Sequence, residues 1–520
     1  MKYGEFQGSL SSCDETNEYS DSHNAISPIF RSRLDSKRLA ESFPSTTLMS
    51  TPSQPTVAIV GGGLAGLAAA CALSNVGFRV TLLEKRPFLG GRASSYEHPG
   101  TGEVVDNCQH VLFRVCTNLV EFYQRIGVAN QIRWFDQMNF IEPGGRVSVM
   151  KSSLLPAPMH TAPSFLNFSF LNAADKLSVT RALIPLTLVK QADNGQSFRQ
   201  WLDHHGQTPH AISRFWHPIL VSALSEELDR ISVSAAAQVV RESMKSPAAR
   251  QMGVPTLPLT DLYNAAGDYI RARRGLLHFR SFVDKFVVEG CQVWLGARGK
   301  EGFEERFDYL ILGLPFDALD ALLPQTPESS PIREKLAHFE NSPITGIHLW
   351  FDRQISDLNH AVLLDRTIQW MFHKSRLQPM RRQNENGWSG GSYIELVVSS
   401  SKSLIDKTRS EIVDLALGEV REFFPAARQA NLVKSTVIKE LNATYSPRPG
   451  IDEHRPTAIT SWPNVFLAGD WTATGWPATM EGAVRSGYLA AEALTRAAGM
   501  KDQRFLSPDL PARGFMRLFG

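Results

Sequence analysis

The chain has 520 residues, 43% of them hydrophobic, and a formal net charge of +2. This length predicts two or more structural domains, and the nearly balanced charge gives no reason to expect a nucleic-acid partner. The five cysteines form no Cys-x-x-Cys pair, so the sequence predicts neither a zinc site nor a disulfide framework. We therefore expect a cytoplasmic location. No uninterrupted apolar stretch reaches the length of a membrane span.

The first 48 residues mix Ser, Asp, Glu, Asn and Arg without an apolar periodicity. This composition is typical of disorder, and it contains no apolar region of the kind found in secretory signals. We therefore expect residues 1–50 to form a disordered polar tail. Met49 lies just ahead of the first predicted strand and is an alternative start of the protein.

A dinucleotide-binding pattern occupies residues 57–84. An apolar strand at 57–60 precedes a G-x-G-x-x-G turn, and a helix and a second strand follow, the latter ending at an acid. The glycines permit a tight turn, a close approach of the backbone to a pyrophosphate and close packing of helix on strand. The helix N-terminus offers N–H groups to phosphates, and the acid is placed to bind ribose hydroxyls. The predicted contacts are Gly61, Gly63, Leu64, Ala65, Gly66 and Glu84.

A Gly-Gly-Arg turn follows shortly after this acid. Its glycines let the backbone pass beside a bulky planar group, and its arginine can pair with phosphate or pack near a ring. At this offset from Glu84 the turn is the second half of a flavin fingerprint. The predicted cofactor contacts therefore include Lys85, Gly90, Gly91 and Arg92.

Residues 57–93 resemble the FAD-binding front of the amine oxidase and phytoene desaturase superfamily of flavoproteins. The resemblance implies FAD as the cofactor. It also implies an α/β fold in which a Rossmann-type FAD-binding domain is interleaved with a largely helical, α+β substrate domain. We expect a discontinuous FAD-binding domain at 51–130, 260–325 and 455–498, a substrate-binding domain at 131–259 and 326–454, and a C-terminal tail at 499–520.

Residues 105–111 gather polar side chains between apolar ones. The residue types alone favour capping contacts at a strand-to-helix turn. The resemblance implies in addition that this stretch lies beside the flavin, because the desaturases carry a D-x-G-x-H-like motif there, with Cys108 here in the usual glycine position. We hypothesise that His110 or Asp106 is a catalytic proton source.

Residues 130–260 predict a mainly helical cap over the substrate. Four histidines there have no standard metal spacing, so we expect surface or packing roles and no metal site: His204, His205, His210 and His217. The strand-like run 277–286 includes Val283, which we place among the cofactor contacts. Residues 307–315 predict a buried strand that returns to the nucleotide-binding sheet.

A second anchor lies near the C-terminus. An apolar strand ends in Gly469-Asp470, and a loop then opens a long helix that continues to about Ala497. The helix opening would aim N–H groups at a flavin and stabilise negative charge on the reduced ring. The predicted contacts are Gly469, Asp470, Thr479, Met480, Glu481, Gly482 and Ala483.

Residues 469–488 (GDWTATGWPATMEGAVRSGY), with DNCQH at 106–110, FWHPIL at 215–220 and KELNATYSPRPG at 439–450, are similar to hydroxysqualene dehydroxylases. These are squalene-associated FAD proteins of bacterial hopanoid pathways. The resemblance implies replacement of the allylic hydroxyl of hydroxysqualene by hydride, which gives squalene. The substrate is then an apolar isoprenoid.

Three other functions stay open. A phytoene-desaturase-like enzyme would send hydride from a polyene to FAD, and a flavin amine oxidase would need an amine-binding aromatic cage that the sequence does not clearly supply. An isoprenoid-binding module such as the Rab GDP dissociation inhibitors shares the fold without redox chemistry, but both nucleotide anchors are intact here. The sequence sets neither the direction of hydride transfer, nor the electron donor, nor the oligomeric state.

The last residues combine apolar side chains with Arg513 and Arg517. Two placements are open for this segment. It can make a peripheral contact with a membrane, where an apolar substrate would be handed over, or dock on the protein's own surface.

Overall fold

The computed structural model describes residues 54–99, 102–188, 191, 193–299, 302–378 and 391–518. The predicted disordered tail at 1–50 lies outside these residues. The described strands are β1 Thr56–Val60, β2 Arg79–Glu84, β3 Ser95–Glu97, β4 Val104–Asp106, β5 Leu112–Phe113, β6 Ile132–Phe135, β7 Gln137–Ile141, β8 Val147–Lys151, β9 Met252–Pro255, β10 Leu276–Phe279, β11 Phe282–Glu289, β12 Gln292–Arg298, β13 Phe303–Phe307, β14 Tyr309–Leu312, β15 Asn341–Phe351, β16 His360–Leu363, β17 Trp370–Phe372, β18 Tyr393–Ser399, β19 Leu432–Tyr445 and β20 Val465–Leu467. The described helices are α1 Leu64–Asn75, α2 Thr117–Arg125, α3 Ala162–Leu166, α4 Ala173–Leu188, α5 Phe198–His204, α6 Pro209–Ala211, α7 His217–Leu224, α8 Val233–Met244, α9 Leu259–Arg271, α10 Phe316–Leu322, α11 Ser330–Leu336, α12 Lys374–Leu377, α13 Arg409–Phe423 and α14 Met480–Ala497.

A parallel sheet of order β10-β2-β1-β14-β20 carries the glycine turn at its centre. Its inner strands are near-continuous apolar runs because both faces are covered. Ile59 and Ile311 pack with α1, α9 and α14 on one face, while Ala58 and Leu310 pack with β11–β13 on the other. Successive side chains of one strand therefore enter two different cores.

Helices α1 and α14 lie in direct backbone contact on one face of this sheet. A Cβ atom at Gly487 would lie only 2.2 Å from the carbonyl oxygen of Ala65. The small side chains of α1 allow this approach, and its buried residues include Ala68, Ala69 and Ala72. The packing fixes the N-terminus of α14 relative to the glycine turn.

A second sheet, of order β19-β15-β18-β17-β16-β7-β8, forms the frame of the substrate-binding half. Its pairs are antiparallel except for β16 with β7. Helix α13 packs on one face through Ile412 and Val420. Helices between α4 and α8 cover the other face, in a core that contains Phe140 and Phe372.

The prediction of a mainly helical segment at 130–260 is correct for α3–α8 and wrong at its start. Residues 132–151 form the three strands β6, β7 and β8. Gly144 and Gly145 both have positive φ and turn the chain between β7 and β8. Residues 147–151 then alternate between exposed and buried, which is the period of a strand with one covered face.

The single strand-like run predicted at 277–286 is two strands in the structure. Arg280 has φ of 55° and breaks the run between β10 and β11. Strand β10 joins the parallel sheet beside β2, whereas β11, which contains Val283, pairs with β12 in an antiparallel sheet.

The described part of the C-terminal segment docks on the protein itself. Phe505 packs in the core with Tyr488, and the N–H of Phe515 donates to the carbonyl oxygen of Ala157 at 2.9 Å. Met516 is buried, whereas Phe515 and Leu518 stay exposed. Residues from Gln54 onward form one compact unit, so the domain boundaries proposed from the sequence stay predictions.

Within the described ranges, no helix combines the length and the apolar character needed to cross a bilayer.

Candidate active site

One continuous cavity of about 900 Å³ joins the carboxyl edge of the parallel sheet to the interior of the substrate-binding half. At the sheet end its wall consists of the glycine turn, the end of β2, the Gly-Gly-Arg turn and the opening of α14. At the other end the wall is largely apolar. This apolar wall includes Met138, Met150, Leu183, Phe215, Trp216, Ile219, Val240, Val362, Trp370, Phe372 and Val397.

The glycine turn after β1 is built for close backbone contact. Gly61 has φ of +107°, and a Cβ atom there would lie 2.4 Å from the carbonyl oxygen of Gly313. A Cβ atom at Gly66 would lie 2.0 Å from the carbonyl oxygen of Gly61. Gly63 is the N-cap of α1 and supplies no side-chain hydrogen bond, so the first N–H groups of the helix are left for a ligand.

Glu84 supports this turn from the end of β2. Its buried carboxylate accepts hydrogen bonds from the N–H groups of Gly62 at 2.6 Å and of Arg86 at 2.7 Å. Glu84 and the exposed Lys85 both line the cavity. The side chain of Glu84 therefore fixes the shape of the turn, and its predicted contact with ribose stays a prediction.

The two predicted cofactor anchors meet through an ion pair. Nη2 of Arg92 lies 2.5 Å from Oδ1 of Asp470, although the two residues are 378 positions apart in the chain. The Gly-Gly-Arg turn also packs on the glycine turn, since a Cβ atom at Gly91 would lie 2.8 Å from Cα of Gly63. Gly90 and Gly91 both have positive φ, which this close approach requires.

The opening of α14 faces the same cavity. Thr479 is its N-cap, and its Oγ1 accepts the N–H of Gly482 at 3.1 Å. Thr479, Met480 and Ala483 line the cavity, whereas Gly482 and the more distant Gly66 do not. These two glycines serve the packing of their helices rather than the cavity wall.

Glu481 lines the cavity, and its side chain has in addition a structural role that the sequence did not predict. Its fully buried carboxylate accepts the N–H groups of Asn118 at 3.2 Å and Leu119 at 2.7 Å, and it pairs with Nε of Arg485 at 2.7 Å. It therefore caps the N-terminus of α2 from a neighbouring helix. The predicted contact of Glu481 with the cofactor stays a prediction.

Arg455 holds the loop that carries Asp470, and no sequence pattern singles this arginine out. The buried guanidinium donates from Nη2 to the carbonyl oxygens of Asp470 at 3.2 Å, Thr472 at 2.6 Å and Trp476 at 2.7 Å. One cation thus collects backbone carbonyls from the whole loop between β20 and α14. A single arginine before a proline did not reveal this role.

Asp106 lies in a buried charged cluster and not on the cavity wall. Its carboxylate accepts from Oγ of Ser95 at 2.6 Å and from Nζ of Lys374 at 2.5 Å. The fully buried Lys374 also donates to Oε1 of Gln109 at 2.8 Å and lies 3.3 Å from Glu395. Lys374, which no sequence pattern singles out, ties both ends of the 106–109 stretch to the substrate-binding half.

His110 does line the cavity. Its Nδ1 lies 2.8 Å from the carbonyl oxygen of Cys108, and because a carbonyl can only accept, we assign the ring proton to Nδ1. Nε2 makes no hydrogen bond with a described residue and carries the free lone pair. Desolvation lowers the pKa of His110 below its ordinary value, so the imidazole is neutral at pH 7. His110 is therefore an unprotonated base in the cavity wall.

Val283 lines the sheet end of the cavity beside the glycine turn. The four histidines of the helical segment make other contacts: His204 with Gln196, His205 with Trp201, His210 with Asp175 and His217 with Glu227. Across the part of the chain that the structure describes, no group of three or more His, Cys, Asp or Glu residues is arranged to hold a metal ion.

A family model described as flavin containing amine oxidoreductase matches residues 64–495. The chain belongs to this family. The predictions of FAD as the cofactor and of an FAD-dependent oxidoreductase are thereby confirmed.

Two relatives from Synechococcus elongatus match most of this chain. The 15-cis-phytoene desaturase is 26% identical over 461 residues, which cover 84% of this chain and 95% of the relative. The probable zeta-carotene desaturase is 28% identical over 480 residues, which cover 85% of this chain and 98% of the relative.

Solved structures show the fold. An oxidoreductase from Methanosarcina mazei has a TM-score of 0.64 at 16% identity, over 83% of this chain and 98% of its own. Putrescine oxidase has a TM-score of 0.64 at 15% identity, over 86% of this chain and 98% of its own. These likenesses confirm the predicted α/β fold with a substrate domain.

The residues of the cavity fit FAD. The uncapped N-terminus of α1 suits a pyrophosphate, and the glycine pairs at 61–63 and 90–91 leave a groove without side chains beside it. The opening of α14 would hold the flavin end, where its dipole favours negative charge. All three elements line one cavity.

We predict that Arg92→Met weakens FAD binding by about tenfold or more, because the substitution leaves the carboxylate of Asp470 without its partner. Titration of apoprotein with FAD, followed by flavin fluorescence, measures the dissociation constant. The matched control is Arg306→Met on β13, which removes an exposed ion pair with Glu289 on β11. Equal FAD affinity in both variants would show that the Arg92 pair does not support the cofactor site.

Proposed function

We propose that this protein moves hydride between FAD and a long apolar isoprenoid, and that it acts as a desaturase of a carotenoid-type polyene. The observation that carries the proposal is the continuous cavity, which joins the cofactor groove to a largely apolar interior. The printed activities of the two Synechococcus relatives support the polyene as substrate. An apolar wall of this kind binds a hydrocarbon chain and excludes water.

Bound FAD supplies a two-electron acceptor or donor of hydride. Desaturation takes a hydride from one carbon and a proton from its neighbour, so that the bond between them becomes a double bond. His110 is suited to accept that proton at Nε2, because Nδ1 is held by the Cys108 carbonyl and burial keeps the ring neutral. Asp106 would not accept the proton itself, because its carboxylate is paired with Lys374 and does not line the cavity. It would instead hold the 106–109 stretch in position.

A second candidate is the reductive dehydroxylation of hydroxysqualene to squalene in hopanoid synthesis. The similarity of residues 106–110, 439–450 and 469–488 to hydroxysqualene dehydroxylases favours it. In this reaction the allylic C–O bond breaks, hydride bonds to the carbon, and the hydroxyl leaves with a proton as water. An external two-electron donor must first reduce FAD. A neutral His110 has no proton at Nε2 to give, so this reaction needs another acid.

We also propose a peripheral membrane contact near the C-terminus. The N–H of Phe515 bonds to Ala157, which places the tail beside the exposed loop at 154–159. The large exposed apolar side chains of this surface are Leu154, Leu155, Met159, Phe515 and Leu518. The exposed Arg513 and Arg517 flank them and suit anionic lipid.

The substrate is tested by anaerobic incubation of the FAD-loaded protein. With oxidised FAD and phytoene, we expect the flavin absorbance to bleach and a product with one more double bond to form. With reduced FAD and hydroxysqualene, the second candidate predicts squalene. Absence of both products in protein that retains FAD would contradict hydride transfer to or from an isoprenoid.

We predict that His110→Gln lowers desaturation by about 100-fold or more, the usual contribution of a general base. A base is active only when unprotonated, so the wild-type rate should be flat near pH 7 and fall only below pH 6.5, through the lowered pKa of His110. The variant should lose this acid limb. His204→Gln, on the exposed end of α5, is the control for FAD content and rate. An unchanged rate and pH profile in His110→Gln would exclude His110 as the base.

For the membrane contact, we predict that the wild-type protein sediments with vesicles containing phosphatidylglycerol and that added salt weakens this binding. The triple variant Leu155→Ser, Phe515→Ser, Leu518→Ser should stay in the supernatant. Leu441→Ser removes an equally exposed leucine from β19 and should bind like wild type. Equal sedimentation of both variants would place the contact elsewhere.

A further inference from the structure

His110 lies on a stretch of backbone that belongs to no sheet or helix. Strand β4 ends at Asp106 and β5 begins at Leu112. Between them, the backbone N–H groups of residues 108–111 donate no hydrogen bond to another residue that the structure describes. The position of the imidazole therefore depends on the side chains that hold this stretch, because the backbone has no ladder of its own here.

A buried lysine from the substrate-binding half supplies two of these contacts. Lys374, the first residue of α12, places Nζ 2.5 Å from Oδ2 of Asp106 and 2.8 Å from Oε1 of Gln109. Glu395 on β18 lies 3.3 Å from the same ammonium. A fully buried ammonium requires such partners, because an unpaired charge is costly to desolvate. The lysine thus holds both ends of the stretch that precedes His110 at fixed distances from α12.

Gln109 transmits this contact to His110. The ammonium of Lys374 is only a donor, so Oε1 of Gln109 must face it and the amide nitrogen must point away. That nitrogen, Nε2, donates to the carbonyl oxygen of His110 at 3.0 Å. If the amide were reversed, two donors would meet at Lys374 and the bond to His110 would be lost. The lysine therefore determines the orientation of the amide, and the amide fixes the backbone of His110.

The charges of this cluster also act on the imidazole. Desolvation is the main cause of the lowered pKa of His110, while the Cys108 carbonyl and Asp106 raise this pKa and Lys374 and Arg92 lower it. Asp106 and Lys374 are thus close enough to influence the ring, although neither lines the cavity.

We infer that Lys374 is a positioning residue for His110, which it holds at the cavity wall through Gln109 and Asp106. Lys374 does not line the cavity, so it is neither acid nor base in the reaction. The inference rests on the proposed function, in which His110 accepts a proton from the polyene. The position of this base then depends on the sheet that frames the substrate-binding half.

The first test observes the imidazole directly and needs no turnover. Nitrogen NMR shifts of the ring show which nitrogen carries the proton, and the His110→Gln variant assigns the signal. In FAD-loaded wild type at pH 7, we expect the proton on Nδ1 alone. Lys374→Met should give a mixture of both tautomers, because the amide of Gln109 no longer fixes the backbone beside the ring. Gln109→Glu keeps an acceptor for Lys374 but loses the donor to the His110 carbonyl, so it should give the same mixture.

The matched control is Lys402→Met. It removes another lysine that is paired with a buried carboxylate, that of Glu226, and it does not line the cavity. This variant should keep the wild-type signal and the wild-type FAD content. A wild-type signal in both Lys374→Met and Gln109→Glu would overturn the inference, and Gln109→Glu keeps the test decisive if Lys374→Met does not fold.

The second test is a double-variant cycle in the desaturation of phytoene. We expect Lys374→Met to slow flavin reduction at least about tenfold in the wild-type background but less than about threefold in His110→Gln, because a residue that acts through His110 has no base to position there. Equal losses in both backgrounds, or a full rate in Lys374→Met that retains FAD, would contradict the positioning role alone. Mixed tautomers in a protein that exchanges hydride with no isoprenoid would support this role and contradict the proposed function.

Discussion

The ion pair between Arg92 and Asp470 is the contact on which the cofactor site depends. It joins turns at opposite ends of the chain, and it forms because the sheet order places β20 beside β14 and β14 beside β1. In a parallel sheet the loops after the strands meet at one edge, so both anchors arrive at the same groove. Arg455 then fixes the loop that carries Asp470 by donating hydrogen bonds to its backbone carbonyl oxygens. The strand order thus determines where the groove lies, and the side chains then stabilise it.

The parts of this site that the sequence predicted are those whose requirements are local. Gly61, Gly66 and the 90–91 turn need a backbone that only glycine adopts easily or that leaves no room for a Cβ atom, and spacing alone reveals such positions. Partners distant in the chain leave no such mark. Lys374 meets Asp106 across 268 residues, and Glu481 meets α2 across more than 360. The sequence predicts Glu481 as a cofactor contact and Asp106 as a proton source, and it contains no pattern that singles out Lys374.

The secondary structure that the sequence did not predict also depends on contacts between residues distant in the chain. The period-two alternation at 147–151 is one of burial and not of residue type, because Val147 and Val149 are exposed whereas Ser148 is buried, so no alternating apolar pattern marks this strand in the sequence. The break at Arg280 was not readable, because a positive φ at arginine is imposed by the pairing of β10 with one sheet and β11 with another. Tertiary context overrode local preference at both places.

Burial in one apolar cavity has opposite consequences for two of its basic side chains. Histidine titrates near neutral pH, so desolvation is sufficient to make His110 a neutral base. The guanidinium starts far higher, and the same penalty leaves Arg250 a cation at pH 7. A neutral base suits removal of a proton from a hydrocarbon. The chemistry of the cavity is therefore set by how deeply each group is desolvated, a property that residue types in a sequence do not contain.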